Sequence, residues 1–280
     1  MNSNDLISVI VSTYNREDAL DAVLRALSRQ TDRDFEIIVA DDGSGPATAG
    51  VVRKWAGKAP VPVRHVWHED SGFRLADIRN RGILASAGAY IVFIDGDCIA
   101  RPGFVAAHRR LSEPAWFVTG TRVLLSQELT ARILLDGLAP ESWSLPQWLV
   151  LRARRDINRL TPMLDLPLDA VRKRTASRWR GARGANMAFW REDLDRVDGF
   201  DTSFKGWGRE DSDIFIRLIR AGVGRKDGRY ATGLLHLWHR EADRSALTAN
   251  DHRLDELLRS ERITARRGLS ATAEAAAYTV

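Results

Sequence analysis

Short, unbroken apolar runs alternate with stretches of helical spacing over the first hundred residues. Leu6-Ile7-Ser8-Val9-Ile10-Val11-Ser12-Thr13, Phe35-Glu36-Ile37-Ile38-Val39-Ala40 and Tyr90-Ile91-Val92-Phe93-Ile94 are rich in β-branched and aromatic residues, which predicts strands covered on both faces. Val61 to Trp67 is interrupted by Pro62, so that strand belongs nearer a sheet edge. Between the runs, Leu20, Val23, Leu24 and Leu27 mark one helix and Val51, Val52 and Trp55 a second over 47–56. A third is expected from Leu75 to Ala87, closed by Gly88. The order β-α-β-α-β-α-β requires parallel strands and right-handed crossovers. The predicted class is therefore α/β, a mostly parallel central sheet flanked by helices.

Further along, Arg101-Pro102-Gly103 opens a helix over 104–111, and a long strand is expected from Trp116 to Leu125. From Ser126 to Arg180 the pattern changes to two or three amphipathic helices punctuated by Pro140, Pro146, Pro162 and Pro167, which reads as a helical insertion. Order returns at Gly181 with a Gly-rich turn into a short strand through Asn186 to Trp190. A helix carrying Ile214, Phe215, Leu218 and Ile219 follows, then a strand from Leu234 that ends in His236 and His239. Residues from Gly268 onward are Ala-rich without an apolar face, and a loose tail is expected there. The expected division is 1–125, the insertion 126–180, a second half 181–267, and the tail 268–280.

Composition adds bounds. With 44% hydrophobic and 28% charged residues over 280 positions, the chain matches an ordinary globular protein. No apolar run approaches the roughly 18 residues of a membrane span. The first residues lack the basic and apolar regions of a secretory signal, and the single cysteine, Cys98, fits a reducing compartment. A cytoplasmic protein is expected. The net charge of +5 is unevenly spread, with ten Lys or Arg against three Asp between Val150 and Arg183. That block lies beside Trp143, Trp148 and Trp179, which predicts contact of segment 143–183 with phosphates or an anionic membrane, at its inner face. No nucleic-acid-binding motif accompanies it, so nucleic acid is not expected as a partner.

Candidate chemistry gathers at strand ends. Asp95-Gly96-Asp97 closes the fourth strand, at the edge where open α/β sheets bind ligands. Two carboxylates so close repel unless a cation sits between them, and their oxygen ligands suit Mg²⁺ or Mn²⁺. Thr13-Tyr14-Asn15 and Asp41-Asp42-Gly43-Ser44 close the first and second strands. Glu210, Asp211 and Asp213 crowd the first turn of a helix behind Gly206-Trp207-Gly208. The absence of Gly-x-Gly-x-x-Gly or Gly-x4-Gly-Lys-Ser/Thr after the first strand excludes a dinucleotide fold and a P-loop NTPase. A nucleotidyltransferase would carry a Gly-rich basic signature there, and Thr13 to Glu17 is not one.

In this order and spacing, Val9-Ile10-Val11-Ser12-Thr13-Tyr14-Asn15, Val39-Ala40-Asp41-Asp42-Gly43-Ser44, Asp70-Ser71-Gly72-Phe73-Arg74 with Ile78-Arg79-Asn80, Asp95-Gly96-Asp97 and Gly206-Trp207-Gly208-Arg209-Glu210-Asp211 resemble the inverting family-2 glycosyltransferases of GT-A fold. The last piece is most similar to their galactosyltransferase and chondroitin-polymerase-like branch, where the pattern is usually Gly-Trp-Gly-Gly-Glu-Asp. Arg209 departs from it, which bears on sugar preference more than on chemistry. The resemblance implies a UDP-sugar donor and a glycan or lipid-linked glycan acceptor. It assigns Thr13, Tyr14, Asp41 and Asp42 to the nucleoside, with Asp42 or Asp41 accepting from the base. Arg74 and Arg79 would contact the nucleotide or diphosphate; Asp95, Gly96 and Asp97 would hold the sugar nucleotide. Asp97 and Asp95, with His236 or His239, would bind Mn²⁺ or Mg²⁺. Asp211 would be the base, Glu210 would bind a sugar, and Asn186 and Trp207 would face the acceptor. An inactive sugar-nucleotide-binding scaffold is the alternative, against which all four acids Asp95, Asp97, Glu210 and Asp211 are retained.

Overall fold

The computed structural model describes residues 6–277. A seven-stranded sheet carries the fold in the order β3-β2-β1-β4-β8-β6-β9, built from β1 (Ile7–Thr13), β2 (Phe35–Asp41), β3 (Val63–Trp67), β4 (Tyr90–Asp95), β6 (Trp116–Thr119), β8 (Asn186–Trp190) and β9 (Gly224–Asp227). The pairs β1–β2, β1–β4, β2–β3 and β6–β9 are parallel, while β8 runs antiparallel to both neighbours. Alternate side chains of β1 enter opposite cores: Ile7, Val9 and Val11 on one face, Ile10 on the other. Two covered faces explain why the strand reads as one apolar run. As its proline suggested, β3 is an edge strand.

Helices α1 (Glu17–Leu27), α2 (Pro46–Ala56) and α3 (Leu75–Ala85) make the crossovers, and α4 (Phe104–Leu111) follows β5 (Cys98–Ala100). The third helix stops two residues earlier than expected, because Ser86 turns extended. The long strand expected over 116–125 is in fact two. It breaks at Gly120, where a Cβ would lie 2.2 Å from Asn186 Nδ2 and 2.4 Å from Thr232 Oγ1. Beyond the break, β7 (Arg122–Leu124) leaves the large sheet and pairs with β10 (Leu234–His236), which also pairs with β5. This small sheet sets His236 directly opposite Cys98.

The insertion contains α5 (Gln127–Leu135) and α6 (Leu145–Ala153), followed by turns and short 3-10 segments. Of the ten cations in its basic block, nine are exposed and one, Arg172, is internal. Arg172 is buried and donates to the carbonyls of Leu166, Asp227 and Arg229, and Lys173 pairs with Glu113 at 2.6 Å. The second half adds α7 (Arg191–Arg196), α8 (Glu210–Arg220) and α9 (Leu247–Leu258).

The loose tail expected from Gly268 is instead a helix, α10 (Leu269–Ala277), packed on α3. Leu269 and Thr272 are buried, and Asp198 accepts from the backbone N–H groups of Leu269 and Ser270, both at 2.8 Å. Small alanines let a helix approach closely without a conspicuous apolar stripe, so the pattern hid it. The expected tail's last residues, 278–280, lie outside the described residues.

Candidate active site

Parallel pairing brings the C-terminal ends of neighbouring strands level: Thr13 faces Asp41, Asp41 faces Trp67, and Ser12 faces Asp95. Tyr14 stands half-exposed on this rim, its hydroxyl donating to Asp70 Oδ2 at 2.9 Å. Asp41 is fully buried; one oxygen accepts from Ser44 N at 2.8 Å and the other meets His65 Nε2 at 2.9 Å. Burial alone would raise its pKa, but the bonds from His65 and Ser44 outweigh it and hold the carboxyl below its usual range. Asp41 is thus built into the rim. Asp42 meets His68 Nε2 at 2.7 Å and accepts from Arg74 N at 2.8 Å. His68 Nδ1 lies 3.2 Å from Asp77. Desolvation disfavours the charged imidazole, yet the two carboxylates prevail and its pKa is raised.

Asp95 sits between two guanidinium groups, Arg79 Nη2 at 3.3 Å and Arg122 Nη1 at 3.5 Å. Its pKa is nevertheless raised, first by burial, with the Asp97 charge adding to it. Arg79 is almost wholly buried and spends its other amino group on Glu210 Oε1 at 3.3 Å. It is thus a buried bridge between the two carboxylates. Glu210 is pushed up to about 7, chiefly by burial and then by Asp211, against the pull of Arg79.

Asp97 has both histidines beside it. His236 Nε2 lies 3.6 Å from Oδ1 and His239 Nε2 3.4 Å from Oδ2, while Cys98 Sγ is 3.5 Å from Oδ1. Burial lowers His236 to about 4, so its ring is neutral near pH 7 and keeps a lone pair. His239 Nδ1 is 2.6 Å from the carbonyl of Arg240, an oxygen that only accepts. That bond puts a proton on Nδ1, so in the neutral ring Nε2, which faces Asp97, carries the lone pair, the second-sphere arrangement of a metal-binding histidine. Two lone-pair donors converging on a carboxylate fit a divalent cation.

On the other wall, the N-terminus of α8 presents Asp211. Its Oδ2 accepts from Gly184 N at 2.9 Å and its Oδ1 from Ser212 N at 2.6 Å. A Cβ on Gly184 would lie 3.0 Å from that of Asp211. Asp213, by contrast, is buried against Arg217 at 2.7 Å and is structural. Trp207 is 39% exposed with the Arg244 guanidinium 4.9 Å from its ring centre. Asn186 does not face the cleft as expected. It is 1% exposed, and its amide donates to the carbonyls of Thr121 and Thr232 as a strap between strands.

With this geometry, residues 8–148 match the model for glycosyl transferase family 2, and residues 169–239 match that for the N-terminal domain of galactosyltransferase. The chain belongs to glycosyl transferase family 2. It is 32% identical over 262 residues to validoxylamine A glucosyltransferase of Streptomyces hygroscopicus subsp. limoneus, covering 88% of this chain and 55% of that protein. It is 28% identical to chondroitin synthase of Escherichia coli, over 78% of this chain and 33% of that one. The chain thus spans little more than half the length of the first of these relatives. Among solved structures, S. aureus TarS 1–349 in complex with UDP matches with TM-score 0.61 at 15% identity, covering 95% of this chain and 68% of that one. The mannosyltransferase PcManGT of Pyrobaculum calidifontis, in complex with GDP-Man and Mn²⁺, matches with TM-score 0.56 at 19% identity, covering 100% and 77%. The fold of this family-2 member is GT-A.

Four residues of the site escaped the sequence reading. His65 and His68 brace Asp41 and Asp42 at the rim, and Arg122 is the second cation on Asp95. Trp67, 51% exposed and level with Asp41, is a second aromatic on that rim. Only the register of parallel strands puts Trp67 and Arg122 at the cleft, and register is a long-range property.

Proposed function

We propose that the chain is an inverting, metal-dependent glycosyltransferase that moves a hexose or N-acetylhexosamine from a UDP-sugar to a glycan hydroxyl, free or lipid-linked. The observation that carries the reading is one continuous line of groups. Asp97 with two histidines stands at the donor edge, Arg79 bridges Asp95 to Glu210, and Asp211 stands beside Glu210 on the acceptor wall. Tyr14 and Trp67 supply flat faces for a uracil, and Asp42 keeps lone pairs for its edge. Asp97, His236 and His239, with Asp95 adjacent, would hold Mn²⁺ or Mg²⁺. Bound there, the cation would offset the charge of the leaving diphosphate.

The remaining steps belong to the chain's own residues. Trp207 stacks the acceptor ring, and Glu210 holds a sugar hydroxyl. Asp211, fixed by Gly184 and Ser212, takes the proton as the acceptor oxygen attacks the anomeric carbon. The bond from that carbon to the diphosphate breaks on the opposite face, so configuration inverts. Arg122 lies where it can meet the diphosphate. Release of UDP measured across a panel of UDP-sugars, with and without Mn²⁺, tests the reaction. Asp211→Asn is expected to lower turnover at least about a hundredfold, in the range of general-base losses, with UDP binding intact. A variant that keeps its turnover, or loses UDP binding as well, overturns the assignment of the base.

A further inference from the structure

Helices α5 and α6 form a hairpin. Ser126 N donates to Asp156 O at 2.8 Å, and Leu125 bridges to Ile157, so the start of α5 meets the end of α6. Residues 135–145 are therefore its tip. Leu135, at that tip, is 85% exposed, and Leu145 is 55% exposed. Leu149 and Val150 continue the bare face along α6. Arg152 and Arg154 follow, both exposed. Single exposed leucines are ordinary, but two at the tip with two more along the adjoining helix call for a partner.

Next to the tip lies a pocket of about 340 Å³ between the C-terminal ends of α1 and α2. Four cations line it, Arg25, Arg29, Lys54 and Lys58; Lys54 pairs with Asp21 at 2.5 Å and Arg29 with Glu141, which leaves a net excess of two positive charges. Its floor is Trp55, with both lysine ammonium groups 5.4 Å from the ring centre. The pocket and the tip are tied together. Arg25 donates to Gly137 O at 3.0 Å and to Leu138 O, and Arg29 meets Glu141 at 2.9 Å.

We propose that this hairpin tip and the basic pocket beside it form one docking surface for an anionic lipid bilayer. Protruding leucines enter the acyl boundary while adjacent cations hold lipid phosphates, the two-part attachment that a single weak element does not supply. Charge argues against a second copy of the chain, since pairing this face with itself would set Lys54 and Lys58 against their own kind. The surface lies at the far end of α1 from the Tyr14 rim. Eleven residues of helix separate them, about 16 Å. The cleft is thus held off the bilayer. The proposal stands apart from the assignment of the reaction.

Sedimentation of the whole chain with vesicles tests it. Binding to phosphatidylglycerol–phosphatidylcholine vesicles is expected at about 0.1 M salt, where screening is moderate, and not to pure phosphatidylcholine. Lys54→Glu with Lys58→Glu should weaken binding about tenfold or more. Leu135→Ser with Leu145→Ser should weaken it comparably, with Tm and UDP binding unchanged in both variants. Failure of the unmodified chain to sediment with anionic vesicles overturns the proposal. So does equal binding by the variants, or self-association in equilibrium ultracentrifugation that Leu135→Ser abolishes.

Discussion

Arg209 adopts φ +79°, the left-handed region, immediately before α8. A side chain there costs about 1 kcal/mol or more, because Cβ crowds the following carbonyl. Glycine escapes that cost, which gives a physical reason for glycine at this point of the related motif. Arginine keeps one compensation, an exposed pair with Asp251 at 2.5 Å, of the kind worth less than about 1 kcal/mol. Arg209→Gly is expected to be more stable than Arg209→Ala by about 1 kcal/mol, the reverse of the order inside a helix. Denaturant unfolding of the two variants checks this, and equal midpoints would remove strain from the account. Asp193 is a second residue held at a cost. It is buried on α7 with Oδ2 unpartnered, and burial, then Glu192, raises its pKa to about 6. A carboxyl raised on folding adds stability only while it is protonated. That contribution is complete below about 4, fades as pH rises through 6, and is absent at pH 8. Asp193→Asn should therefore gain about 1–2 kcal/mol at pH 8 and almost nothing at pH 4. A gain independent of pH would show that titration of Asp193 is not the cause.

At the scale of elements, α10 carries weight that its composition conceals. Thr272 accepts from Asn80 Nδ2 and lies 3.3 Å from Asp77, on the helix that also presents Arg79. Leu269→Ala is expected to cost about 2 kcal/mol, as truncating a buried leucine generally does. Unchanged thermal unfolding would return this segment to the status of a tail. The same contrast shows what the sequence made legible. Buried parallel strands announce themselves through unbroken β-branched runs, so β1, β2, β4 and the three crossover helices could be read directly. Asp95, Asp97 and Asp211 could be read because a motif marks them. Asn186 could not, since nothing in Gly184-Ala185-Asn186 reveals that the side chain straps two strands. The strand break at Gly120 was equally hidden, because the side chains that crowd it, Asn186 and Thr232, come from far along the chain.

On the scale of the whole molecule, sequence halves are not mechanical halves. Residues from the 181–267 segment complete the donor edge: β10 brings His236 and the chain beyond it brings His239 beside Asp97. Arg79, from the first half, holds Glu210 in the second. Donor floor and acceptor wall thus share one buried counter-ion. In the proposed reaction, a diphosphate arriving at the donor edge would compete with Asp95 and Glu210 for that guanidinium and so reset the wall that the acceptor must meet. In kinetic terms this favours an ordered sequence with donor first. An acceptor analogue lacking the reactive hydroxyl is then expected to inhibit uncompetitively against the UDP-sugar. Mixed inhibition would mean that the acceptor enters the free enzyme and that Arg79 sets no order.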